Sequence, residues 1–157
     1  MALTLQPLDH PDQLDLLAEE ARSQGYRMLD RLQQEWREGT NCFDREGECV
    51  LIAVRSDRIV GVCGLNRDPY CARDDVGRVR RLYVSVEFRR QDIGRQLVET
   101  IQQHCQEKFS QFRLRTHSPE ADAFYLSLGF RHTTEDPCCT HVREVQPVLE
   151  RPIVDGT

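Results

Sequence analysis

The sequence lacks any apolar run long enough to cross a membrane, and its first residues, Met1-Ala2-Leu3-Thr4, lack the pattern of a signal peptide. It also lacks an excess of basic residues: 21 lysines and arginines stand against 26 acidic residues, giving a formal net charge of −5. That balance argues against nucleic-acid binding and permits a cationic amine as a substrate. Repeats, low-complexity stretches and linkers are absent as well. The 157 residues therefore predict one cytoplasmic domain that contacts neither membrane nor nucleic acid.

The seven cysteines are odd in number and follow no secretory signal, which predicts reduced thiols in a cytoplasm. Cys138 and Cys139, together with His141, form the one cluster that suggests a metal ion. No second pair of ligands stands at zinc-finger spacing, so we expect no metal site.

Hydrophobic periodicity and turn residues predict strands and helices in alternation. A short edge strand comes first, two amphipathic helices follow, and a β-hairpin with near-continuous apolar runs reads as central strands covered on both faces. A strand, a helix, a parallel strand, a helix and a final hairpin complete the chain. The predicted segments run from Leu3 to Leu8, Pro11 to Gly25, Met28 to Gly39, Cys49 to Asn66, Gly77 to Val86, Gly94 to Phe109, Phe112 to Thr116, Ser118 to Gly129 and Phe130 to Val145.

The strand from Gly77 to Val86 changes its apolar phase within its own length. Val79 falls on one face, whereas Leu82 and Val84 fall on the other. A β-bulge adds one residue to a strand and produces this kind of shift. The sequence therefore predicts a bulge near Arg80.

A short basic loop follows this strand and leads into a helix that begins near Gly94. Unpaired backbone N–H groups and the positive end of the helix dipole favour a phosphate group at such a helix start. Arg89, Arg90 and Arg95 add positive charge there, although arginines in a strand–loop–helix segment are often solvated surface residues. The loop is a candidate phosphate-binding site.

The stretch from Arg81 to Gly94 resembles the acyl-CoA-binding motif of the GNAT superfamily of N-acyltransferases, a hydrophobic strand followed by (Arg/Gln)-x-x-Gly-x-(Gly/Ala). Arg89 and Gly94 match the motif, and Asp92 departs from it where the first glycine is common. Aspartate tolerates a left-handed backbone better than most residues, so we expect the loop to keep its shape.

A second stretch, Ala121-x-x-Phe124-Tyr125-x-x-x-Gly129-Phe130, resembles another GNAT signature. The resemblance implies an α/β (α+β) GNAT fold, with a mixed central sheet of about six to seven strands, a splayed parallel pair and about four helices. It implies a single domain over residues 1–146. The C-terminal tail, residues 147–157, is either disordered or an arm of a homodimer.

The resemblance also implies an acetyl-CoA-dependent N-acetyltransferase that acts on a primary amine, for which we expect a small molecule. Tyr125 stands where the family's tyrosine points at the thioester sulfur, and its hydroxyl is a candidate general acid. The backbone N–H of Val84 would polarise the thioester carbonyl. The implied cofactor-binding residues are Leu82, Tyr83, Val84, Arg89, Arg90, Gln91, Asp92, Ile93, Gly94, Arg95 and Ser118.

The sequence leaves the general base and the class of function open. Arg78 occupies the position of the glutamate that many GNAT sequences carry, so Asp74, Asp75, His117 and a chain of water molecules remain as alternatives. A protein or peptide N-acetyltransferase is a second interpretation of the function. A non-catalytic acyl-CoA-binding module, suggested by Arg78 and Asp92, is a third.

Overall fold

The computed structural model describes residues 2–145. The predicted tail, 147–157, and the end of the predicted domain at residue 146 lie outside the described residues. The strands are β1 (Thr4–Pro7), β2 (Cys49–Arg55), β3 (Arg58–Arg67), β4 (Val76–Val84), β5 (Gln111–Leu114), β6 (Arg131–His132) and β7 (His141–Glu144). The α-helices are α1 (Asp15–Ser23), α2 (Met28–Glu38), α3 (Ile93–Cys105) and α4 (Pro119–Ser127).

The strands form one seven-stranded mixed sheet in the order β1-β2-β3-β4-β5-β7-β6. Its parallel pair is β4 with β5, and the other neighbours are antiparallel. The sheet and the four α-helices confirm the predicted fold class. Because α3 connects β4 to β5, the chain crosses from one parallel strand to the next over one face of the sheet.

Helix boundaries follow local chemistry. The segment predicted to be helical from Pro11 begins as a 3₁₀ turn, Pro11–Leu14, and becomes α-helical at Asp15. Gly39 ends α2 with a φ of 78°, a left-handed conformation that glycine adopts at little cost. Ser118 caps α4, since its Oγ accepts a hydrogen bond of 3.3 Å from the backbone N–H of Ala121.

Two apolar layers cover the sheet. Buried residues of α3 and α4 pack on one face, and those of α1 and α2 pack on the other. The adjacent residues Ile52 and Ala53 of β2 belong to different layers, and both are fully buried. This two-sided burial confirms the interpretation of β2 and β3 as central strands.

The predicted bulge lies in β4. Val62 pairs with Tyr83 and Gly64 with Arg80, so two steps along β3 correspond to three along β4. Arg81, one of the two residues between the paired Arg80 and Tyr83, has a φ of 61°. Within the part of the chain that the structure describes, β4 and β5 pair over residues 76–78 and 111–113 alone, so β4 leaves β5 after Arg78, just before the bulge. A notch opens between them.

Two further findings concern membranes and cysteines. Among residues 2–145, no helix combines the length and the apolar character that crossing a membrane requires. All seven cysteines are free thiols.

Candidate active site

A cleft of about 1110 Å³ occupies the notch between β4 and β5. Its walls come from β4, the loop after it, the start of α3, the end of β5 and α4. The structure brings all of the predicted site residues to this cleft, although Ser118 and Tyr125 lie 24 and 31 positions after Gly94 in the sequence. The predicted residues in its lining are Leu82, Tyr83, Val84, Arg89, Arg90, Gln91, Asp92, Ile93, Gly94, Arg95, Ser118 and Tyr125.

The loop before α3 has the backbone geometry of an anion cradle. Arg90 and Asp92 have φ values of 65° and 69°, so the chain curls tightly before the helix. The Gln96 N–H donates to the Asp92 carbonyl at 3.1 Å and forms the first turn of the helix. The N–H groups of Ile93 and Gly94 precede it and have no acceptor within the helix, which leaves them available to a phosphate at the cleft.

The charged side chains of this loop differ in their partners. The Asp92 carboxylate lies 3.0 Å from Nε of Arg95, which balances its charge at the mouth of the cleft. Arg89 donates from Nε to the Val84 carbonyl at 3.0 Å, and its guanidinium lies 5.4 Å from the centre of the Tyr83 ring. Arg90 has no ion pair or hydrogen bond with a residue that the structure describes, so its charge faces solvent.

The backbone of Val84 faces the notch. The Ser85 N–H donates to the Val60 carbonyl at 2.8 Å, so this pair is of the hydrogen-bonded type. Hydrogen-bonded and non-hydrogen-bonded pairs alternate along an antiparallel ladder, and the next pair is Gly61 with Val84. The N–H and the carbonyl of Val84 therefore point away from β3, toward the cleft.

Glu20 of α1 holds this end of β4 in place. Its carboxylate accepts hydrogen bonds from the Tyr83 hydroxyl at 2.5 Å and the Ser85 hydroxyl at 2.7 Å, and from the Val86 N–H at 3.3 Å. Burial and the hydrogen bond to Glu20 raise the pKa of Tyr83 to about 12. Burial also acts to raise the pKa of Glu20, but the three donors outweigh it and the pKa is lowered. The Tyr83 side chain is thus tied to α1, and its backbone borders the cleft.

The hydroxyl of Tyr125 has no hydrogen-bond partner among the described residues. The residue is 7% exposed, with its ring packed against Phe124 and Phe130 at centroid distances of 5.0 and 5.5 Å. The hydroxyl makes no hydrogen bond to any residue in the described part of the chain. Burial raises the pKa of Tyr125 far above its ordinary value, so the phenol is protonated at neutral pH. The cleft therefore contains a neutral O–H donor that has no acceptor among residues 2–145.

The structure places none of the carboxylates or the imidazole considered as a general base in the lining of the cleft. Asp74 pairs with Arg67 at 2.7 Å, and its side chain is 77% exposed. Asp75 binds Arg73 at the start of β4, distant from Val84 along the strand. His117 is exposed beyond the end of β5. Water is the alternative that this geometry leaves.

Periodicity did not indicate a group beside Tyr125 in which Asp122, His132 and His141 converge. Their ligand atoms lie within 4.8 Å of one another, a spacing that could hold a metal ion. Cys138 and Cys139, which precede His141 in the sequence, are not part of this group. Nε2 of buried His141 lies 2.7 Å from Oδ1 of Asp122, which also contacts His132. The three come from α4, β6 and β7, so no spacing along the sequence could indicate them. His141 also packs against Tyr125 at 6.3 Å between ring centres.

Curated and structural relatives share this architecture. Human N-acetyltransferase 8 is 32% identical over 107 residues, which are 66% of this chain and 47% of that protein, so the chain spans about half the length of its relative. The crystal structure of a protein of Exiguobacterium sp. 255-15, described provisionally as an acetyltransferase, superposes with a TM-score of 0.80 at 24% identity and covers 92% of this chain and 94% of its own.

The crystal structure of PaiA N-acetyltransferase from Thermoplasma acidophilum, determined in complex with coenzyme A, has a TM-score of 0.67 at 18% identity. The alignment covers 92% of this chain and 100% of that one. At these identities the two solved structures establish the fold. Residues 17–147 match the family model of the acetyltransferase (GNAT) domain, which spans most of the sequence. On that match, the chain belongs to the GNAT acetyltransferase family.

Proposed function

We propose that this protein transfers the acetyl group of acetyl-CoA directly to the primary amine of a small molecule, with Tyr125 as the general acid. The observation that carries the proposal is the coincidence, in one cleft, of an anion-binding loop, the inward-facing backbone of Val84 and an uncommitted buried hydroxyl. Membership of the family supports acetyl-CoA as the co-substrate, and residues 1–146 would form the acetyltransferase domain.

The cofactor would lie along the notch from the α3 start to Tyr125. The pyrophosphate would bind the N–H groups of Ile93 and Gly94, with Arg90 adding positive charge. Past Arg78, β4 has no partner in β5, and pantetheine would lie along this free edge and bind its backbone groups as a neighbouring strand would. The thioester carbonyl would then meet the N–H of Val84, a fixed dipole aimed at the oxygen that becomes negative.

The chemistry needs two protons removed from the nitrogen and one supplied to the sulfur. The amine arrives as an ammonium and loses a proton before its lone pair attacks the thioester carbon. We assign that proton to water, because none of the candidate bases lines the cleft. When the tetrahedral intermediate collapses, the nitrogen loses its second proton to water and the Tyr125 O–H donates to the departing sulfur, after which the hydroxyl is reprotonated from water.

The test is Tyr125→Phe, which retains the ring and removes the hydroxyl. We expect kcat for CoA release to fall by about 10²–10⁴, the usual contribution of general acid–base catalysis. The Kd for acetyl-CoA and the Tm should both stay close to the wild-type values, because the hydroxyl makes no hydrogen bond within the described residues. A kcat within about threefold of wild type would remove Tyr125 from the mechanism.

The matched control is Tyr83→Phe, which removes a hydroxyl that does have a partner, Glu20. We expect this variant to lose about 1–2 kcal/mol of unfolding free energy, a loss that Tyr125→Phe should not show. Acetyl-CoA binding without CoA release, on any amine or peptide, would favour the non-catalytic binding module. Transfer to peptides alone would favour the protein N-acetyltransferase.

A further inference from the structure

We infer that the acceptor is an amine that also carries a carboxylate, and that Arg80 binds this carboxylate in the half of the cleft opposite the phosphate loop. The inference rests on the proposed function and names its substrate class. It depends on where Arg80 points, on the charges around it and on the absence of a carboxylate within ion-pair or hydrogen-bond distance among the described residues.

The side chain of Arg80 leaves the sheet on the side of α1 and α2. Arg80 pairs with Gly64, and directly opposed residues of antiparallel strands share a face. A Cβ on Gly64 would lie 2.9 Å from Phe43, which belongs to the apolar layer of α1 and α2. Val79 points the other way, into the layer of α3.

The cleft lining around Arg80 includes residues that do not belong to the phosphate loop. Tyr70 lies here, with its ring 4.8 Å from the Arg78 guanidinium, and the lining also includes Tyr26, from the connection between α1 and α2, and Met28, the first residue of α2. Both tyrosines are about half exposed, so they offer aromatic surface to a ligand's carbon skeleton. Cys138 closes the wall from the side of β7, with its carbonyl accepting a hydrogen bond of 2.9 Å from Arg78.

Three arginines of β4 border this space, and two of them have acidic partners. Arg78 is buried with its guanidinium 3.6 Å from the buried carboxylate of Asp68. Arg81 donates to Glu35 at 3.0 Å.

Arg80 has neither an ion pair nor a hydrogen bond with any described residue. Its side chain is half-buried, and burial, followed by the charge of Arg81, lowers its pKa. The two carboxylates in the cleft lining, Asp92 and Glu120, belong to the phosphate loop and to the first turn of α4. Among the three arginines of β4 in the lining, Arg80 is therefore the one without an acidic partner among the described residues.

An unpaired guanidinium removed from water has lost solvation without a compensating partner. A carboxylate fits its fork with two parallel hydrogen bonds, which makes this pairing strong as well as directional. A ligand with a second ammonium, such as a polyamine, would instead meet repulsion from Arg80. The local charge thus selects an amine with an anionic group, although the whole chain is negative.

The experiment compares acceptors that differ in the carboxylate alone. Phenylalanine is paired with phenylalaninamide, and 6-aminohexanoate with hexylamine, so that short and long spacings between amine and carboxylate are both covered. With wild-type protein we expect kcat/KM for CoA release to favour the acid of at least one pair by about tenfold or more. In Arg80→Gln that preference should fall to within twofold through a higher KM, and Arg80→Lys should restore part of it.

Arg31→Gln is the control, because it removes one exposed arginine of α2 outside the cleft lining. It should leave the preference and the Kd for acetyl-CoA as in wild type. Equal acetylation of acids and their uncharged partners would overturn the inference and leave the proposed function standing. Preference for an acidic peptide over both free acids would overturn the assignment to a small molecule.

A binding readout keeps the inference testable if transfer itself is not found, which would count against the proposed function. Saturation-transfer NMR would compare N-acetylphenylalanine with its amide in the presence of CoA. Selective binding of the acid by wild type, lost in Arg80→Gln, would support the inference without any turnover. Equal binding of the two compounds, or binding of neither, would overturn it.

Discussion

The contacts around Gly94 decide what a side chain at this position would do. A Cβ here would lie 3.3 Å from Cζ of Phe124 and 3.8 Å from Cγ2 of Val84, and both residues line the cleft. Gly94→Glu would therefore fill the cleft beside the phosphate loop and add negative charge. We expect the Kd for acetyl-CoA, measured by calorimetry, to rise at least about tenfold, or 1.4 kcal/mol, while the far-UV spectrum is retained.

Gln96→Glu is the matched control, because it adds the same charge two residues later on the exposed side of α3. Its Kd should stay within about threefold of wild type. Equal losses in the two variants would mean that helix charge alone weakens binding, and that Gly94 does not border the cofactor.

At the scale of single residues, the sequence predicted the positions of residues that belong to a recognised motif. Arg89, Gly94 and Tyr125 line the cleft as the resemblance implied, and the left-handed Asp92 retains the loop that its departure from the motif put in question. The position of Arg80 was beyond prediction. In a strand with an added residue, the side on which each side chain emerges depends on where the bulge falls.

The contact between α1 and the end of β4 positions the backbone that faces the cleft. Glu20 accepts from Tyr83, Ser85 and Val86, the residues that flank Val84 in the chain. Glu20→Ala would leave these donors without their acceptor. We expect about 1–3 kcal/mol less unfolding free energy in urea titrations, together with weaker acetyl-CoA binding.

Glu19→Ala removes the adjacent, exposed glutamate of the same helix and should change both quantities little. If Glu20→Ala matched Glu19→Ala in stability and in Kd, α1 would not support β4 in this way.

At the scale of elements, prediction succeeded where periodicity is local. The phase change between Val79 and Leu82 located the bulge, and Ser118 and Gly39 were correctly read as helix boundaries. It failed for contacts that join distant elements. Asp122 meets His141 because α4 lies across the last hairpin, and no interval of sequence encodes that packing.

The whole molecule has a predictable response to acid. Five aspartates have a lowered pKa, and in each of them the largest cause is a hydrogen bond that the carboxylate accepts. The donors are Arg37 for Asp12, Arg22 for Asp30, Arg73 for Asp75, His132 for Asp122 and the backbone N–H of Cys138 for Asp136. In the unfolded chain these carboxyl groups have a pKa of about 3.9, so as the pH falls the unfolded chain binds more protons than the folded protein does. Their stabilisation is therefore present above about pH 4 and lost below it.

We expect the urea midpoint at pH 3 to lie below that at pH 6. Asp75→Asn should narrow the difference, because an amide cannot take up the proton that Asp75 takes up on unfolding. A midpoint that rises on acidification, or a variant with the full wild-type difference, would contradict this account.

Net charge also shows what composition can and cannot predict for a whole molecule. A total of −5 argued against nucleic-acid binding and permitted a cationic acceptor, whereas the cleft lining includes Arg80, which has no ion pair with a described residue. Composition averages over the surface, and a binding site depends on the few charges that face one cavity.

The departure of β4 from β5 has a consequence for solubility. Past Arg78 the strand presents backbone groups that no other described strand pairs with, and such an open edge is a template on which a strand of another molecule can add. Charged side chains are the common protection against this kind of aggregation, and Arg80 and Arg81 stand in that stretch. The gap in which we place pantetheine is thus also the place where the empty protein would begin to self-associate, and a bound cofactor would shield it.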